Sequence, residues 1–162
     1  MIKFMRNYKN NTENNEEDNK GFSLVELIIV IAIMAILVAV LAPQFLQYVE
    51  RSRNSTDATN ATSIVAAVQT YIADPANAAD VKNFEGGTVT VSSTGYNDGD
   101  DVTLKNALIA AGYKDKDSIT CKSTSAWQEY KIVFTYKNGN LGFEYQEDTF
   151  ANYMKTGAVK SE

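Results

Sequence analysis

Apolar residues are unevenly spread along this chain. From Phe22 to Ala42 only Ser23 and Glu26 interrupt an otherwise apolar run. As a helix, about 21 residues at 1.5 Å each reach about 31 Å, close to the thickness of a bilayer's hydrocarbon core. Starting after Glu26 leaves only about 24 Å, so a membrane-spanning reading needs Glu26 near or within the membrane. Pro43 follows. It has no amide hydrogen and crowds the preceding turn, so a kink is expected there, with Ala39 and Ala42 nearby where the helix bends or loosens. The pattern then changes character. Leu46, Val49, Ile64, Ala67, Val68, Tyr71 and Ile72 fall near one stripe of a helix, which predicts an amphipathic continuation that covers something. Asp74-Pro75 ends it, because the residue before a proline is pushed out of the helical region.

Shorter elements come next. Thr88 to Val91 reads as a brief strand. Asn97-Asp98-Gly99-Asp100-Asp101 reads as a turn that caps a helix from about Val102 to Ala111, closed by Gly112. Trp127 to Tyr136 alternates, with Tyr130, Ile132, Phe134 and Tyr136 on one face. Leu141, Phe143 and Tyr145 alternate in the same way beyond Asn138-Gly139-Asn140, and an Asn-Gly turn between such runs predicts a hairpin. The stretch from Ala151 reads as a loose tail. Residues 1 to about 19 are polar, Asn-rich and unpatterned, the composition of a disordered segment. The expected fold class is α+β: a long N-terminal helix whose outer half packs on a small antiparallel sheet.

Charge and composition narrow the function classes. The formal net charge is -5. Lys3, Arg6, Lys9 and Lys20 balance Glu13, Glu16, Glu17 and Asp18, so the net negative charge lies after residue 21. An acidic body argues against nucleic acid as the main partner, and the pair Arg51 and Arg53 makes no cluster. Histidine is absent, which removes the commonest acid-base group and metal ligand. There is no phosphate loop, nucleophile elbow or cysteine-histidine metal spacing, so no enzyme, cofactor or metal is expected. The Asn97–Asp101 turn has carboxylates that suit a hard cation but lacks the spacing of a calcium loop, and a solvated turn is the simpler reading. The hairpin aromatics read as core, Trp127 as the better candidate for an exposed contact, and Cys121, the only cysteine, as a small buried residue.

The carboxylate of Glu26 at the head of the apolar run remains to be explained. Ser23-x-x-Glu26 fits a capping box, in which the two side chains satisfy backbone amides at a helix start. A secretory signal peptide would place Pro43 just after the cut, where a tertiary amide is a poor substrate. A plain membrane anchor with Glu26 at the interface is a further reading.

Lys20-Gly21-Phe22-Ser23-Leu24-Val25-Glu26, followed by the apolar run and Pro43, also resembles the N-terminus of type IV prepilins and the related pseudopilins. The resemblance covers about residues 20 to 53. It implies that a prepilin peptidase cuts between Gly21 and Phe22 and methylates the new amine, making Phe22 N-methylphenylalanine. It also implies a division into a cytoplasmic leader (1–21), a transmembrane and filament-core helix (22–43), an amphipathic half of the same helix (44–73) and a globular head (74–162). The bases before the span agree with a cytoplasmic leader.

A carboxylate in hydrocarbon costs roughly 2.5–3.5 kcal/mol and calls for a partner. The resemblance supplies one, the Phe22 amine of a neighbouring copy, which makes Glu26 a registry device. The implied partners are further copies of the chain, the peptidase, the pilus assembly machinery and, before assembly, the plasma membrane. The implied destination is a surface filament serving adhesion, twitching motility or DNA uptake. The lone cysteine cannot form the C-terminal disulfide of many pilins from double-membrane bacteria, which points to a Gram-positive type. A pseudopilin of a secretion or DNA-uptake machine shares the motif, and a membrane-anchored binding module that never polymerises is the alternative of another class.

Overall fold

The computed structural model describes residues 23–159. Gly21 and Phe22, where cleavage and methylation are expected, lie outside the described residues, as does the rest of the leader. The chain forms a long helix α1 (Leu24–Ala73), a short α2 (Ala78–Val81), strands β1 (Gly86–Ser92) and β2 (Gly95–Asn97), α3 (Val102–Ala110), strands β3 (Glu129–Lys137) and β4 (Asn140–Gln146), and α4 (Asp148–Thr156). This is the expected α+β architecture, a long helix with a small antiparallel sheet. The chain divides into two compact units, Met1–Ala42 and Pro43–Glu162. Pro43, at the division, lies inside α1.

In the first unit the described residues are helical from Leu24 onward, and every one of them is exposed. This part of α1 is long and apolar enough to cross a membrane, and none of that stretch is buried.

In the second unit α1 buries Asn54, Asp57, Ala61, Ile64, Val65 and Val68. Their spacing keeps them on one face of a 3.6-residue helix. The stripe differs from the expected one. Leu46 is 66% exposed, and Val49, Ala67, Tyr71 and Ile72 are only half-buried. Asn54 and Asp57 occupy core positions that a search for apolar residues passes over. At its end α1 is tied down by Tyr71, whose hydroxyl donates to Asp80 at 2.6 Å.

The sheet order is β2-β1-β3-β4, antiparallel throughout. Val89 and Val91 from β1, and Tyr130, Ile132 and Phe134 from β3, join Ile64 and Val68 of α1 in one core. Gly86 has a φ of +130°, and a side chain there would collide with the Phe134 carbonyl, so only glycine starts β1 in this register. The hairpin is as expected: Lys137 pairs with Asn140 around Asn138 (φ 53°) and Gly139 (φ 80°), both left-handed, as a primed two-residue turn requires. Phe143, on the edge strand β4, is 41% exposed, although Leu141 and Tyr145 beside it pack on the core. α3 starts where Asp101 accepts from the Leu104 amide at 2.9 Å, and Gly112 (φ 98°) follows its end.

The expected loose tail is instead a packed helix as far as Thr156. Phe150 of α4 is fully buried, stacks on Tyr130 at 4.3 Å and meets Trp127 edge-on at 5.0 Å. Tyr153 adds a hydroxyl contact to Ser55 at 3.2 Å. Phe150, Tyr153 and Met154 recur at helical spacing, a signal of only one turn. Replacing Phe150 with Ala is expected to destabilise the fold by about 3–5 kcal/mol. Tyr130→Phe is expected to cost nothing or to stabilise slightly, because the Tyr130 hydroxyl is buried without a partner among the described residues. Equilibrium unfolding in urea measures both.

Candidate assembly site

The start of α1 is closed by its own side chains. The backbone N–H of Ser23 donates to Glu26 Oε2 at 2.8 Å, and Ser23 Oγ accepts from the Val25 amide at 3.3 Å. The Ser23 carbonyl accepts the first helical bond, from Leu27 at 3.1 Å. Both side chains thus answer backbone amides at the helix start, as the Ser-x-x-Glu spacing predicts, with the Ser23 hydroxyl taking the amide of Val25 in place of that of Glu26. An acidic side chain in the first turn also meets the positive end of the helix dipole. Glu26 is therefore structurally occupied on one oxygen while standing at the head of an exposed apolar helix.

Other residues singled out from the sequence sit in the second unit, and two of them converge on one buried group. Trp127 is 4% exposed, which corrects its reading as a surface contact. It precedes β3, and its indole N–H donates to Asp57 Oδ2 at 2.9 Å. The Asp57 carboxylate, itself 0% exposed, also accepts from the amides of Lys122 (2.7 Å) and Ser123 (2.9 Å) and from the Cys121 thiol (3.3 Å). Burial, with the Asp57 charge adding to it, pushes the Cys121 thiol from 9.0 up to about 12, so it stays protonated.

Two turns earlier on α1, Glu50 continues the same row of donors. It accepts from the hydroxyl of Ser123 (2.7 Å) and from the amides of Thr124 (2.8 Å) and Ser125 (2.9 Å). Arg53 lies 3.4 Å away and also donates to Thr124 Oγ1 at 3.1 Å. Burial alone would raise the Glu50 carboxyl. The bonds from Ser125, Ser123 and Thr124 outweigh it and hold the group far below the ordinary value of 4.5. Consecutive backbone amides from Lys122 to Ser125 are thus held by two carboxylates of one helix. Sequence reading missed this clamp because four of its donors are main-chain amides, which leave no mark on residue type.

The acidic turn has structural duties. Asp98 is buried and accepts from the Asp100 amide at 3.3 Å, Asn97 accepts from Gly99 at 2.9 Å, and Asp101 caps α3. Among the described residues no three His, Cys, Asp or Glu side chains converge as metal ligands.

Residues 18–42 match the family model described as the prokaryotic N-terminal methylation motif. That is the signal motif of type IV prepilins and pseudopilins, and it ends at the residue before Pro43. No curated protein and no solved structure matches the chain.

The clamp predicts acid sensitivity of a definite sign. A depressed Glu50 contributes stability that is present above pH 4.5 and is lost as pH falls below it toward the folded value. Glu50→Gln is expected to flatten that acid limb while lowering stability at neutral pH, read from urea midpoints across the pH series. Asp57→Ala leaves buried donors unanswered and is expected to cost about 3 kcal/mol or more.

Proposed function

We propose that this chain is a structural subunit of a type IV pilus, made as a precursor, cut after Gly21 and polymerised through its N-terminal helix. One coincidence carries the reading. The methylation motif at residues 18–42 falls on the part of the chain whose described residues are an exposed, membrane-length helix. An apolar surface of that size demands a cover. In the precursor the cover is the plasma membrane, and in the product it is the same helix of other copies. Cutting before the apolar run leaves the whole run on the mature chain, so one helix serves both stages.

The steps follow from that economy. The peptidase reaches the bond after Gly21 unhindered by a side chain, and Phe22 carries the new, methylated amine. Glu26 enters the filament favourably only when the positive amine of a neighbouring Phe22 lies beside it, which sets the register. Pro43 is the point assigned to bending during packing. The head, in whose described residues no three potential metal ligands converge, faces outward from the cell surface.

Shearing the cell surface and weighing the filament subunit tests the reading. The expected chain begins at methylated Phe22 and comes from long fibres. A processed chain confined to the envelope would assign the protein to the pseudopilins of a secretion or DNA-uptake machine, and an uncut chain would overturn both. Glu26→Ala is expected to leave processing intact and abolish filaments. A bulky residue at Gly21 is expected to retain the leader, a mass difference of about 21 residues.

A further inference from the structure

Glu26 has two oxygens, and the cap uses one. Oε2 accepts from the Ser23 backbone N–H at 2.8 Å, while Oε1 has no partner among the described residues. A carboxylate offers about four lone-pair sites, so this bond leaves acceptor capacity open. The donor is a neutral amide, so the full negative charge remains. A cap of this kind also fixes direction. In a helix a long side chain already leans toward the N-terminus, and a bond from the residue three positions earlier pins its far end there.

We infer that Ser23 is a positioning residue for assembly: its backbone N–H holds Oε2 of Glu26 so that Oε1 is presented to the amine of a neighbouring copy. The inference rests on the assembly reading above and adds a requirement to it. The charge of Glu26 is not enough, and its carboxylate must be held in place before the neighbour arrives. An unheld glutamate loses its rotamer freedom at the moment of contact, whereas a capped one has lost it already. The arrangement also protects the helix start, because a carboxylate and an amide that answer each other are both easier to bring into an apolar environment than either alone. The Ser23 hydroxyl is secondary here, since its own bond is the longer one at 3.3 Å.

Three variants separate the groups. Ser23→Ala keeps the backbone N–H and loses the hydroxyl. Ser23→Pro loses the N–H. Glu26→Asp keeps the charge but is one methylene too short to sustain the cap. Sheared filament yield is measured beside the intact mass of the chain, which reports leader removal separately. Ser23→Ala is expected to assemble like the unaltered chain. Ser23→Pro and Glu26→Asp are expected to be processed yet to give roughly tenfold fewer filaments, the scale of one ordered glutamate side chain.

If Glu26→Ala abolishes filaments while Glu26→Asp and Ser23→Pro assemble fully, the charge is needed but its positioning is not, and the inference falls alone. If Ser23→Ala is as defective as Ser23→Pro, the hydroxyl is the positioning group and the assignment to the backbone is wrong. If Ser23→Pro is left uncut, Glu26→Asp decides. Normal filaments from Glu26→Ala would remove the assembly reading and this inference together.

Discussion

Asp57 is a carboxylate with no surface in contact with water, placed in the middle of a helix that would otherwise bury only Asn54 and aliphatic side chains on that face. Burying such a group costs several kcal/mol unless donors replace its hydration. Here the replacement comes from residues 64 to 70 positions further along the chain: the Cys121 thiol, the amides of Lys122 and Ser123, and the indole of Trp127. That requirement fixes the path of the segment leading into β3. It brings Trp127 inward, where the ring meets Phe150 and Tyr153 of α4. The approach to β3 and the last helix are thus both tied, through Trp127, to one carboxylate of α1.

Three carboxylates on α1 follow one rule at different ranges. Glu26 answers an amide three residues away, whereas Glu50 and Asp57 answer amides more than sixty residues away. In each case the carboxylate takes up main-chain N–H groups that lack a partner in regular structure, which is where a charge-assisted bond contributes most. The residues around them differ in kind. Glu26 stands at the head of an exposed apolar surface, and Asp57 is enclosed by a finished core. The one site has acceptor capacity to spare, and the other has consumed it.

Much of this was legible in advance because it depends on side-chain pattern. The apolar run, the Ser23 and Glu26 cap, the Asn138-Gly139 hairpin, the Asp101 cap and the end of α1 before Pro75 all announce themselves through residue type and spacing. Other features did not. β2 has three residues, too few for alternation to be seen. α4 shows its buried face for a single turn and follows Glu147, a non-glycine residue with a φ of 80° that no propensity anticipates. The clamp escaped because an aspartate on the buried face of an amphipathic helix reads as an interruption, and two of its four partners are backbone amides. The assembly site was legible to the extent that it is a motif. Its geometry was not, since the assignment of one oxygen of Glu26 and not the other is a property of the folded cap.

The burial of Cys121 has a practical consequence. Its thiol is covered by the fold, and burial beside the Asp57 charge keeps it protonated at neutral pH. Thiolate is the species that alkylating reagents and disulfides react with, so toward them the chain behaves as if it contained no cysteine. A cysteine introduced at an exposed position of the head, such as Thr94 or Lys114, becomes the single reactive handle for a fluorophore or spin label. The native residue can then stay in place, and with it one of the four bonds that Asp57 accepts.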